Sequence, residues 1–218
     1  MRAVVVASGA IEAGDLRWLE GADLVIAADG GAAHLDRLGR RPNRLIGDLD
    51  SADPALVERL AAAGVAIDPH AADKDATDME LALLAAAGAG AAEIVVLGAL
   101  GGRRLDHELA NLLLLADPAL ADRDVRLVRG ASTVRVLPAG GRAELAGVAG
   151  DLVSLLPVAG DAEGVTTEGL HWPLERATLR LGRSRGVSNE IVTAPAAIRL
   201  ERGTLLVVET STQGAMRR

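Results

Sequence analysis

The stretch Glu93 to Ala116, EIVVLGALGGRRLDHELANLLLLA, reads as strand, glycine-rich turn and helix in direct succession. Its first five residues are a β-branched and apolar run, Gly98 to Gly102 supply the turn, and Asp106 to Leu115 carries the apolar spacing of a helix. A second strand, Val125 to Val128, follows, so the segment is a βαβ unit and predicts a parallel sheet. The same alternation runs back to Arg2. Strands are expected at Ala3 to Ala7, Asp23 to Ala28, Arg44 to Gly47 and Val65 to Asp68, with helices over Pro54 to Ala63 and Asp78 to Ala87. Trp18 falls in a further expected helix, as a core residue.

Beyond about Ser132 the period changes to two. Thr133 to Leu137, Asp151 to Pro157, Ala177 to Leu181, Ile198 to Leu200 and Thr204 to Glu209 are strand-like, with Gly and Pro at the joins. The expected fold is therefore α/β. A mainly parallel, Rossmann-like domain over residues 1–130 precedes an all-β sandwich over residues 131–218.

Composition narrows the function. Of 218 residues half are apolar, enough for a sizeable core, and a net charge of −7 argues against a protein that grips nucleic acid through phosphates. With no cysteine, disulfides, thiolate nucleophiles and Cys-based zinc sites are excluded. The nearly apolar run Leu81 to Ala92 is well short of the roughly 20 residues that a transmembrane helix needs. The opening residues read as a strand rather than a signal peptide, and a cytoplasmic protein is expected. Among 23 basic residues Lys74 is the single lysine, and the two Trp are the only aromatic rings besides His, so these positions invite attention.

Acidic residues gather just past the expected strand ends. Asp29 follows the second strand, Asp48 and Asp50 the third, and Asp73, Asp75 and Asp78 crowd the segment DKDATD. In open α/β sheets the ligand crevice lies outside the carboxyl ends of the strands, so these groups should converge. Singly, each aspartate suits a helix cap or turn. Together they repel one another unless a cation is present, and hard oxygen ligands of this kind suit Mg2+ shared with substrate phosphates. Gly30–Gly31 and the turn containing Gly98, Gly101 and Gly102 sit between strand and helix, where backbone N–H groups can approach an anion. Neither a Walker-type loop nor Gly-x-Gly-x-x-Gly is present.

The ordered set Asp29-Gly-Gly-Ala, Gly47-Asp-Leu-Asp-Ser51, Asp73-Lys-Asp-Ala-Thr-Asp78 and Gly98 to His107, then Gly169-Leu-His-Trp172 and Ser188-Asn189, resembles the thiamine pyrophosphokinase (thiamine diphosphokinase) family. The resemblance spans nearly the whole chain. It implies an N-terminal domain that binds ATP and Mg2+, a C-terminal β-sandwich, and a homodimer with thiamine sites between subunits. In the implied reaction the hydroxyethyl oxygen of thiamine attacks the β-phosphorus of ATP and AMP departs. Carried over by motif, Asp48, Asp50 and Asp78 would hold the metal, directly or through water, and Asp106 would orient the attacking hydroxyl or accept its proton. Lys74 and Arg104 would offset phosphate charge. Asp29, Gly30, Gly31, Ser51, Thr77, Gly98, Gly101 and Gly102 would meet ATP, and Trp172, Ser188 and Asn189 thiamine.

Two departures from the family pattern stand out. Leu49 replaces the usual Phe, and Gly101 to His107 is one residue longer than the common form, so Arg103 or Arg104 is the family arginine. Arg104 keeps the spacing to Asp106. His107 is expected to cap or pack, and His34, His70 and His171 to be structural or exposed. Two other readings are a diphosphokinase for another small alcohol, such as a hydroxymethyl pterin, and a nucleotide-binding module without turnover.

Overall fold

Strands that are apolar on both faces belong in the middle of a parallel sheet, where helices cover each side. Val4 to Val6 and Ile94 to Leu97 meet that condition with 0% exposure. The computed structural model describes residues 1–50, 52–71 and 73–214, which divide into two units, Met1–Arg129 and Gly130–Arg218.

The first unit runs β1 (Arg2–Val6), a 3-10 segment (Ala13–Leu19), β2 (Leu24–Ala28), α1 (Gly31–Arg37), β3 (Arg44–Gly47), α2 (Pro54–Ala62), β4 (Ala66–Pro69), α3 (Asp78–Gly88), β5 (Glu93–Leu97), α4 (Leu105–Leu114), a 3-10 turn (Pro118–Leu120) and β6 (Asp124–Arg129). All pairings are parallel, in the order β6-β5-β1-β2-β3-β4. The chain winds from β1 toward β4 and then returns to lay β5 on the other side of β1. That reversal makes the β1/β5 edge a topological switch point.

Local chemistry sets the helix starts. Asp53 accepts the Ala55 N–H at 3.0 Å ahead of Pro54 in α2, and Thr77 Oγ1 accepts the Glu80 N–H at 3.2 Å in α3. α3 buries Met79, Ala82, Leu83 and Ala86. Trp18 is core, at 2% exposure, but on 3-10 rather than α geometry, in a segment that Glu12 and Asp15 open with a capping box.

The second unit contains β7 (Ser132–Leu137), β8 (Arg142–Glu144), β9 (Leu152–Pro157), β10 (Ala162–Glu168), β11 (Ala177–Leu179), β12 (Asn189–Glu190), β13 (Ala197–Arg199) and β14 (Leu205–Thr210). They form two antiparallel sets, β12-β9-β14-β7 and β11-β10-β13-β8. Val153, Leu155, Leu205 and Val207 of one set share a core with Val165, Leu179 and Ile198 of the other. Strands β8, β10 and β12 lie outside the period-two segments of the sequence. β8 and β12 are too short to show a period, and β10 is interrupted by Gly164, at φ +68°, where the register with β11 shifts.

Candidate active site

At the switch point the turns after β1 and β5 run side by side. The Ala7 N–H donates to Leu97 O at 2.8 Å, Gly9 N–H to Gly98 O at 2.8 Å and Ala10 N–H to Leu100 O at 3.0 Å. A Cβ on Gly98 would lie 2.5 Å from Ala7 O, and one on Gly9 2.5 Å from Gly98 O, so both turns require glycine. The adjoining strand ends and the starts of α3 and α4 enclose a cleft of about 410 Å³.

Of the residues singled out by sequence, Asp29, Thr77, Asp78, Gly98, Gly102 and Arg104 line this cleft, and so do Arg103 and His107. Asp29 has φ +44° and donates its N–H to Ile46 O at 2.8 Å, while a Cβ on Gly47 would come within 3.2 Å of Asp29 Cα. The ends of β2 and β3 are thus held against each other. Asp48 and Asp50 stand on the turn beyond β3, outside the cleft lining, with Asp48 Oδ1 accepting the Asp50 N–H at 3.2 Å. Leu49 between them has φ +60°, a conformation unfavourable for a branched side chain, and it packs against the core of the first unit. Asp48 is half-buried and Asp50 exposed. Ser51 lies outside the described residues.

Lys74 Nζ donates to Asp78 Oδ1 at 2.6 Å, with both side chains largely covered, at 17% and 22% exposure. Arg104 forms a fork with Asp106, at 3.2 and 2.6 Å, on the exposed start of α4. That hydrogen bonding by Arg104 is the leading reason the Asp106 carboxyl is lowered to about 2. Among the described residues no three or more His, Cys, Asp or Glu side chains gather closely enough to hold a metal by themselves. Gly30 and Gly31 have a packing duty: a Cβ on Gly31 would sit 1.8 Å from Val6 O, so its absence lets α1 approach β1. Gly101, at φ +75°, sits where a Cβ would meet Ala10 and Arg129.

Several lining residues carry no mark in the sequence reading. Ser8 and Gly9 contribute the turn after β1, and Met79 and Glu108 add side chains from α3 and α4. Buried Asn111 donates from Nδ2 to Ala99 O at 2.8 Å and so holds the turn after β5. The switch-point rule applied to β1 would have found Ser8 and Gly9. Asn111 lies four residues beyond His107 and hence on the same helical face.

In the second unit Trp172, Ser188 and Asn189 come together. Asn189 brackets the Trp172 backbone, accepting its N–H at 3.0 Å and donating to its carbonyl at 2.8 Å. The Ser188 N–H donates to Ser154 Oγ at 3.0 Å. The Trp172 indole is 58% exposed and meets the His171 ring edge-on at 4.4 Å.

Comparison with known proteins adds an independent finding. Residues 16–128 match the family model "Thiamin pyrophosphokinase, catalytic domain", and residues 142–205 match "Thiamin pyrophosphokinase, vitamin B1 binding domain". The chain is 28% identical over 188 residues to a thiamine pyrophosphokinase of Bacillus subtilis, across 86% of this chain and 87% of that protein. A crystal structure of thiamine pyrophosphokinase from Bacillus subtilis superposes with TM-score 0.86 at 25% identity, covering 97% of this chain and 99% of the other. One from Geobacillus thermodenitrificans gives 0.82 at 30% identity, covering 97% and 98%.

Proposed function

Since the chain belongs to the thiamin pyrophosphokinase family and is a thiamine diphosphokinase, we propose that the cleft of its first unit binds ATP and that the second unit presents thiamine. The observation that carries this reading is the cleft at the β1/β5 switch point, lined by Asp29, Thr77, Asp78 and Gly98. Thiamine's hydroxyethyl oxygen bonds to the β-phosphorus of ATP as the bond to the departing AMP breaks. Such a transfer needs positioning and charge neutralisation more than covalent help.

Backbone N–H groups of the glycine turns and the Thr77-capped start of α3 suit the phosphates. The hard oxygens of Asp48, Asp50 and Asp78 would hold Mg2+, directly or through water, together with the substrate's phosphates. The metal supplies charge neutralisation on the phosphates when bound. Lys74 is assigned to the same charge, in exchange with its Asp78 partner. Asp106, held by the Arg104 fork at the start of α4, is assigned to orienting the attacking hydroxyl or accepting its proton. Trp172, fixed by Asn189, is assigned to the thiamine ring system.

A homodimer in the cytoplasm completes the reading. It is supported by the exposed stripe Leu105, Leu109 and Leu113 on α4. No helix among the described residues is long and apolar enough to cross a membrane. The test is to supply ATP and Mg2+ with either thiamine or a hydroxymethyl pterin and to measure AMP. Release with thiamine alone is expected, whereas release only with the pterin, or none, overturns the reading. Asp50→Asn should keep the wild-type melting curve and lose more than about tenfold in rate, or ~1.4 kcal/mol of barrier. A smaller loss removes Asp50 from the metal set.

A further inference from the structure

Carboxylates neutralise many arginines of the second unit: Arg135 meets Glu209, Arg142 meets Glu144, and Arg176 meets Glu201. Arg199 and Arg202 likewise face Glu168 and Glu163. Arg180, Arg183 and Arg185 differ. All three are exposed, none forms an ion pair among the described residues, and with Thr178 they line one open hollow of about 430 Å³. The neighbouring carboxylate of Asp161 is engaged by the Leu181 N–H at 2.9 Å.

The loop bearing these arginines has a defined shape. The Arg183 N–H returns to Arg180 O at 3.1 Å across a turn that contains Gly182 at φ +76°. Its far end is fixed where Leu155 N–H donates to Gly186 O at 2.8 Å, an approach so close that a Cβ on Gly186 would lie 2.2 Å from Leu155 O. Three guanidinium groups therefore share one concavity on a tethered loop.

Guanidinium stays charged throughout the physiological range, so the cluster cannot relieve its repulsion by losing protons. In a chain of net charge −7, solubility does not call for such a local excess of positive charge. An anion relieves it. The planar, forked donors fit phosphate oxygens two at a time, and three such charges in one hollow suit an anion that carries more charge than a single phosphate. We propose that the hollow formed by Thr178, Arg180, Arg183 and Arg185 binds a small anion with adjacent phosphate groups. The ligand class is inorganic diphosphate or a diphosphate ester, including the ester that this enzyme makes. None of these residues lines the cleft of the first unit. A nucleic-acid backbone is disfavoured by the net charge of −7 and by the small extent of the cluster, three arginines within six residues of one loop.

The experiment is calorimetric titration of the full chain, in EDTA to suppress metal-dependent binding in the cleft. Inorganic diphosphate, thiamine diphosphate, inorganic phosphate and a single-stranded oligonucleotide are titrated separately. One diphosphate per chain is expected, binding more tightly than phosphate and weakening as salt rises. The triple variant Arg180→Gln, Arg183→Gln, Arg185→Gln should lose at least about tenfold in affinity. Asp50→Asn should bind as the wild type does, and Arg183→Glu, a single exposed change, provides the same contrast should the triple variant fold poorly. Where the arginine variants lose more affinity for the ester than for the inorganic ion, the product is identified as the ligand, and the reverse order identifies free diphosphate. Absence of diphosphate binding in the wild type, or equal binding by the variants, overturns the proposal. An oligonucleotide that binds more tightly than diphosphate overturns it in favour of nucleic acid.

Discussion

Lys74 is the single lysine of the chain, and its ammonium is joined at 2.6 Å to Asp78, a carboxylate lining the cleft. An exposed pair at i, i+4 contributes a few tenths of a kcal/mol, so stability alone is a weak reason for such a partly covered pair. A point charge beside transferring phosphates is a stronger one. Lys74→Met should therefore lower kcat/KM for ATP by about tenfold or more, a loss of ~1.4 kcal/mol in transition-state stabilisation, with little change in melting temperature. Kinetics unchanged at limiting and saturating ATP would return Lys74 to a surface ion pair. Asp106 makes a different kind of prediction. Its carboxyl is lowered from 3.8 to about 2, chiefly by the hydrogen bonds from Arg104. A lowered value in the folded state means that the pair's contribution is present above the unfolded value and is lost as pH falls through the folded one. The pair should thus persist at pH 4 and dissolve as the pH approaches 2. Carbon-13 NMR of the Asp106 carboxyl should show this, and Arg104→Ala should move the titration back up toward the ordinary range. A wild-type carboxyl titrating near 3.8 would deny the fork in solution.

The start of α1 illustrates how an element can be legible while the reason for it is not. Gly30–Gly31 between strand and helix suggested an anion turn, and a further reason for glycine lies in packing, since a Cβ on Gly31 would run into Val6 O of central strand β1. Gly31→Ala should therefore destabilise the protein by about 1–3 kcal/mol through overpacking. Gly30→Ala is a milder change, because its Cβ would meet only the Ser8 side chain, at 3.0 Å. Urea unfolding of the two variants tests the contrast, and equal midpoints would refute it. Elements with an unbroken apolar run, such as β1, β3 and β5, were readable because burial on both faces demands that composition. β10, with Glu, Gly and Thr in its seven residues, was not, since its pairing is decided by the partner strands β11 and β13. The site divides the same way. Asp29 and Asp78 were found from their chemistry and line the cleft, whereas Ser8 and Gly9 contribute a small hydroxyl and bare backbone, and Asn111 acts through a hydrogen bond to Ala99 O. Groups that work by position rather than charge leave little trace in a single sequence.

At the scale of the whole molecule, one family model covers residues 16–128 and another covers residues 142–205, so both units fall within the family match. Sequence made the change of period near Ser132 visible because helices and two-faced sheets demand different patterns. It could not supply the assembly, which depends on surface shape. Trp172 is the residue of the second unit proposed to meet the thiamine ring. With only two Trp in the chain, one is buried at 2% exposure and the other stands 58% exposed, its backbone clasped on both sides by Asn189. A large indole kept in water costs solubility without filling the core, and Trp18 already serves the core. Thiamine is flat and cationic, and an indole face attracts such a ligand by stacking and cation–π interaction worth about 0.5–2 kcal/mol. Trp172→Ala should therefore raise the thiamine KM by about 2- to 30-fold while leaving the ATP KM nearly unchanged. Thiamine should quench wild-type fluorescence through Trp172, and the variant, which retains only buried Trp18, should respond much less. Asn189→Ala should give a weaker version of the same selective loss, because it frees the Trp172 backbone without deleting the ring. Equal weakening toward both substrates would mean that Trp172 only supports the fold, and a fully active monomer in sedimentation would remove the site shared between subunits.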